Sequence, residues 1–160
     1  LDQVLRLRNE QQFDLMEFGF DAVIWLERRD VVAQAYSYVR SLKTNVFSRY
    51  TEQERKVEEL SNPHLVVETS AVLNAAAQLT QWREIFATHF RSRTDLCLSY
   101  EDIMEEGIDS AVSRLRQLLG LAPARRSPST REYEKQARPE DAHRIAEIHA
   151  YLAGAGPVPV

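Results

Sequence analysis

The chain has 160 residues, of which 44% are hydrophobic, with only five glycines and six prolines, a composition able to bury the core of one domain and unlike a disordered chain. A formal charge of −4 at pH 7 argues against a nucleic-acid-binding module, so any phosphate site must be local. The single cysteine, Cys97, excludes an internal disulfide, and its place between Leu96 and Leu98 predicts a buried structural thiol. The longest apolar runs fall far short of a membrane span and no secretory signal leads the chain, which favours a cytoplasmic location.

Leu1 to Phe18 carries Val4, Leu5, Leu7, Phe13, Leu15 and Met16, a patchy amphipathic pattern read as helix. Ala22 to Leu26 is a short apolar run with β-branched and aromatic residues, which predicts a buried strand. It ends in Arg28-Arg29, and Asp30 supplies an N-cap for a helix that starts at Val31 and runs to about Phe47. Val31, Val32, Ala35, Val39 and Leu42 form the apolar stripe of this helix, while Asp30, Gln34, Ser37 and Ser41 share another face. A guanidinium at the carboxyl edge of a sheet, followed by a helix amino end, is one way to build an anion site. The same pattern also fits a solvated turn followed by a tolerated serine.

Arg49 to Pro63 is dense in charge and reads as a loop or a solvated helix. Ser70 to Phe90 is the strongest helix, with a broad face of Val72, Leu73, Ala76, Leu79, Trp82, Phe86 and Phe90. Asp95 to Tyr100 is the second strand. Ile108 to Leu119 is a helix for which Gly120 is a natural C′ residue. Ala122 to Thr130 is a loop rich in proline, arginine and serine; Pro139 then opens a helix stopped by Gly154, with a frayed tail beyond. The alternation of strands and helices predicts an α/β fold, helix-rich, with helices flanking a parallel sheet.

The remaining chemistry is sparse. His64, His89, His143 and His149 do not make a metal pattern, so no metal is expected and the histidines read as solvated. Ser41 and Ser99 lack a nucleophile-elbow context. Tyr100 reads as a packing residue at a strand end, and Glu101 and Asp102 as caps of the turn that follows.

Arg29-Asp30, with Ser37 eight residues after the arginine, resembles the 3′-phosphate-binding segment of sulfotransferases that use 3′-phosphoadenosine-5′-phosphosulfate, PAPS. The wording Gln34-Ala-Tyr-Ser37 and Arg40-Ser-Leu-Lys-Thr44 is similar to the bacterial trehalose 2-sulfotransferase-like branch. Gln81 to Phe86, Asp95 to Ile103 and Glu132 to Asp141 resemble further segments of that family in the same order. The resemblance implies a P-loop-type fold and a PAPS-dependent enzyme. It assigns Arg29 and Ser37 to the 3′-phosphate and Tyr100 to the adenine; Lys135 could serve phosphate or pair with Glu132.

The chemistry implied is in-line transfer of a sulfuryl group to a hydroxyl or amine, with the protein supplying position and charge. The acceptor would be a small molecule, a carbohydrate or a lipid, and a homodimer is compatible with the pattern. No Gly-rich 5′-phosphosulfate loop occurs among these residues, and no position can be assigned the catalytic base. The expectation is therefore the carboxy-terminal part of a single sulfotransferase domain over residues 1–153, incomplete at the amino terminus, with 154–160 a tail. A non-catalytic helical dimerisation module and a P-loop kinase relative are the alternatives.

Overall fold

The computed structural model describes residues 17, 19–46, 65–122 and 139–154. The expected charged stretch over 49–63, Lys135, most of the first helix and the loop, and all of the tail beyond Gly154 lie outside them. The described elements are β1 (Ile24–Glu27), α1 (Val31–Thr44), α2 (Thr69–Phe90), a 3₁₀ turn (Arg91–Arg93), β2 (Leu96–Ser99), α3 (Tyr100–Glu106), α4 (Ile108–Leu118) and α5 (Pro139–Leu152). They fall into two compact units. The sheet unit takes the described residues through Arg29 and from Trp82 to Ala122; the helical unit takes those from Asp30 to Gln81 and from Pro139 to Gly154.

In the sheet unit β1 and β2 pair in parallel, as the alternation of elements predicts, with Ile24 opposite Leu96 and Glu27 opposite Ser99. The register is set at the strand entrance. The Val23 amide donates to the Asp95 carboxylate at 2.8 Å, and the Asp95 amide donates to the Val23 carbonyl at 2.9 Å. The half-buried Trp25 packs on Phe86 of α2, ring centroids 5.3 Å apart, and Phe86 packs on the buried Phe90 at 4.3 Å.

Two expectations about these strands need correction. Ile24 and Leu26 are 45% and 67% exposed, so β1 is not buried on both faces. Cys97 is exposed: Leu98 takes the buried position, and strand alternation turns its neighbour out.

After β2 the chain forms a further helix, α3, where the sequence suggested only a capped turn. Ser99 is its N-cap, its hydroxyl accepting the Asp102 amide at 3.0 Å, while Glu101 and Asp102 occupy the first turn. Gly107 ends α3 at φ +88°, a left-handed value that glycine adopts without a Cβ penalty, and α4 begins directly after it. Gly120 closes α4 as expected. Its amide bonds to the Gln117 carbonyl at 3.1 Å and the Leu121 amide to the Arg116 carbonyl at 2.8 Å, a Schellman pair.

The helical unit is built from α1, the first part of α2 and α5 around Val32, Ala35, Tyr36, Val39, Val67, Val72, Ala75 and Ile148. Helix α1 stops at Thr44, short of Phe47, because Asn45 takes the left-handed cap position at φ 56°. Its buried face is turned from the predicted stripe. Leu42 is 55% exposed, whereas Ala33, Tyr36 and Arg40 are buried. Arg40 is accepted there because its guanidinium is paired with the buried carboxylate of Asp141 on α5.

The Tyr36 hydroxyl shares this polar core. Burial, followed by the charge of Asp141 and a hydrogen bond to it, pushes the phenol from 10.0 up to about 12, against the opposing pull of Arg40 and Arg144. A proton held to about 12 in the fold but released near 10.0 in the unfolded chain favours folding below pH 10, and that stability is lost as pH rises through 12. Its full size is about 3 kcal/mol. Urea unfolding from pH 9 to 11 should therefore show wild type losing stability faster than Tyr36→Phe. Equal slopes would show that the hydroxyl is not coupled to the buried pair.

Candidate functional site

The aligned register has a chemical consequence at the carboxyl edge of the sheet. Because Glu27 and Ser99 are opposite each other, the residues that follow the two strands, Arg28-Arg29 and Tyr100-Glu101-Asp102, emerge side by side. Strand ends at the carboxyl edge of parallel sheets are where α/β folds place ligands.

The Arg28 guanidinium lies over the Tyr100 ring, 4.7 Å from its centroid. A cation–π contact of this kind is worth about 0.5–1 kcal/mol where it is partly solvated. The Arg28 carbonyl accepts from Nη2 of Arg83 on α2 at 2.7 Å, and the same nitrogen lies 3.6 Å from the Glu27 carboxylate. The Trp25 indole also donates to Glu27, at 3.2 Å. The strand end is thus held from the helix side by Arg83 and from the β2 side by Tyr100.

Arg29 is more open, its side chain 54% exposed. Its backbone amide donates to the Glu101 carboxylate at 2.9 Å, and its Nη2 lies 2.8 Å from the Asp102 carboxylate. Glu101 also approaches Arg28 Nε at 3.9 Å and Arg29 Nε at 4.0 Å. The hydrogen bond from the Ser99 side chain, with Arg29 nearby, holds the Asp102 carboxyl below the usual carboxylate range against the opposing effect of desolvation. The edge therefore carries two guanidiniums and an aromatic ring, balanced by carboxylates that are themselves within reach of solvent.

Ser37 belongs to the helical unit. It is half-buried on α1 with Asp30, Gln34 and Ser41, so the predicted polar seam exists as an edge of the helix, and its carbonyl accepts from the Ser41 hydroxyl at 2.8 Å. Asp30 caps α1 as expected, accepting the Ala33 amide at 2.8 Å. That amide of the helix terminus is therefore engaged by the helix's own cap. His149 is exposed, as expected of a solvated histidine, and lies 3.1 Å from the Asp30 carboxylate.

The structure thus brings Tyr100 and the Arg28-Arg29 pair to one sheet edge, while Lys135 lies outside the described residues. Sequence reasoning placed Arg28-Arg29 at the strand end but missed Arg83 and Glu101 as parts of this edge. The signal was present in the strand ends: once both strands are placed in parallel, the residues following each must meet. Among the described residues no cluster of histidine, cysteine and carboxylate side chains could hold a metal ion, and no helix is long and apolar enough to cross a membrane.

Comparison with known proteins gives one firm relationship. No curated protein and no solved structure matches the chain significantly. The family model of the Stf0 sulphotransferases, by contrast, matches residues 6–148, nearly the whole chain. With that coverage, the chain belongs to the Stf0 sulphotransferase family.

Proposed function

We propose that this sulfotransferase moves a sulfuryl group from PAPS to a hydroxyl or amine of a small-molecule, carbohydrate or lipid acceptor, in the trehalose 2-sulfotransferase-like branch of the family and on a P-loop-type fold. The observation that carries the reading is the placement of Arg28, Arg29 and Tyr100 together at the carboxyl edge of a parallel sheet in a chain of this family.

In this reading Arg29 offers its planar fork to the 3′-phosphate, and Tyr100 offers the adenine a ring steadied by Arg28. Sequence resemblance assigns Ser37 to the same phosphate as a neutral hydrogen-bond donor; Lys135, for which pairing with Glu132 is the alternative, is taken as a further cation for the nucleotide. The 3′-phosphate is remote from the reacting sulfur, so energy gained there serves to orient the donor. Transfer itself is in-line: the acceptor oxygen or nitrogen attacks sulfur and loses its proton, and the sulfur–oxygen bond to the 5′-phosphate breaks to leave adenosine 3′,5′-bisphosphate.

Calorimetry with two nucleotides tests the proposal. Adenosine 3′,5′-bisphosphate should bind about tenfold to a hundredfold more tightly than AMP, the worth of a charge-assisted phosphate contact. Equal affinities would remove the 3′-phosphate assignment.

A further inference from the structure

We infer that Glu101 is a positioning residue for the phosphate-binding arginine and that Asp102 is the group a bound phosphate displaces. The inference rests on the reading of Arg29 given above and divides two adjacent carboxylates into opposite roles.

Glu101 makes a contact that motion of the Arg29 side chain does not undo: its carboxylate accepts the backbone amide of Arg29 at 2.9 Å. This ties the first turn of α3 to the residue that leaves β1, and so fixes where the Arg29 side chain starts. The same carboxylate sits 3.9 Å from Arg28 Nε and 4.0 Å from Arg29 Nε, so its charge faces both guanidiniums. Arg28 in turn lies over Tyr100, so a single glutamate aligns the charge and the aromatic ring of the edge.

Asp102 touches the other end of the fork. Its carboxylate lies 2.8 Å from Arg29 Nη2, with Arg29 54% and Asp102 33% exposed. An exposed pair of this kind is worth at most about 1 kcal/mol and exchanges readily. Nη2 is a donor that a phosphate oxygen would need, so Asp102 competes with the ligand where Glu101 prepares its site. Simple charge repulsion would instead make both carboxylates hinder an anion.

The test uses the full chain and the ratio of affinities for adenosine 3′,5′-bisphosphate and AMP. Glu101→Ala should lower that ratio about fivefold to tenfold. Glu101→Gln, which keeps an oxygen for the Arg29 amide, should restore most of it. Asp102→Asn should raise the ratio about twofold to fivefold. A ratio unchanged or raised in Glu101→Ala, a loss in Glu101→Gln as large as in Glu101→Ala, or a ratio unchanged or lowered in Asp102→Asn overturns the division of roles. Equal affinities in the wild type would instead remove the 3′-phosphate reading and the inference with it, so the two failures are told apart.

Discussion

Replacing Arg40 by methionine is expected to cost the fold about 3–5 kcal/mol, the largest effect of any single substitution proposed for this chain. Arg40 on α1 and Asp141 on α5 are 101 positions apart in sequence and both are buried, with 7% and 11% of their side chains exposed. Removing the guanidinium takes away the charge paired directly with the Asp141 carboxylate in the helical core. The Tyr36 hydroxyl remains as a neutral donor and cannot replace that charge.

Arg40→Met combined with Asp141→Leu should recover most of the loss, because a buried pair exchanged for apolar side chains of similar bulk is often close to neutral. Full recovery is not expected, since Asp141 also sits in the first turn of α5, where a negative charge is favourable. Urea unfolding of the two single variants and the double variant forms a thermodynamic cycle that isolates the coupling. A single variant within about 1 kcal/mol of wild type would show that the pair behaves as a surface ion pair.

The second large effect is on ligand binding. Arg29→Ala should weaken adenosine 3′,5′-bisphosphate binding about tenfold to a hundredfold while leaving AMP nearly unchanged. Ser37→Ala should weaken it less, about twofold to tenfold, because serine offers one neutral hydrogen bond and the arginine two charged donors. The exposed Arg29 contributes only solvated side-chain contacts with Asp102 and Glu101 to the fold, so its removal should leave the unfolding midpoint almost unmoved. Arg29→Lys separates charge from geometry: it should retain only part of the affinity, since an ammonium cannot present the planar fork. Unchanged selectivity in Arg29→Ala would place the 3′-phosphate elsewhere.

Much of the architecture was legible from local patterns. The β1–Asp30–α1 sequence, the long α2, the second strand and the Gly120 stop all follow from short-range rules: a β-branched run, a capping side chain, a 3.6-residue period, a residue able to adopt positive φ. The end of α1 was also local, but Asn45 is a weaker stop signal than glycine and the period ran past it.

What periodicity could not supply was pairing between distant residues. Arg40 reads as solvent-facing until Asp141 is brought to it, and the core face of α1 turns to include it at the expense of Leu42. Cys97 and Leu98 are equally plausible interior residues in a short apolar strand; only the packed sheet determines which is turned inward. The site divides in the same way. Arg29 stands out in the sequence at the end of a recognisable strand, whereas Tyr100 is singled out by family resemblance, its position alone reading as packing. Their assembly into one edge with Arg28, Arg83 and Glu101 required the strand register, which depends on hydrogen bonds between residues 72 positions apart. Sequence by itself thus determined most of the described elements and the chemical types at their ends, because those rest on interactions within a few residues; tertiary structure decided which charges meet, because burial and register are properties of distant segments packed together.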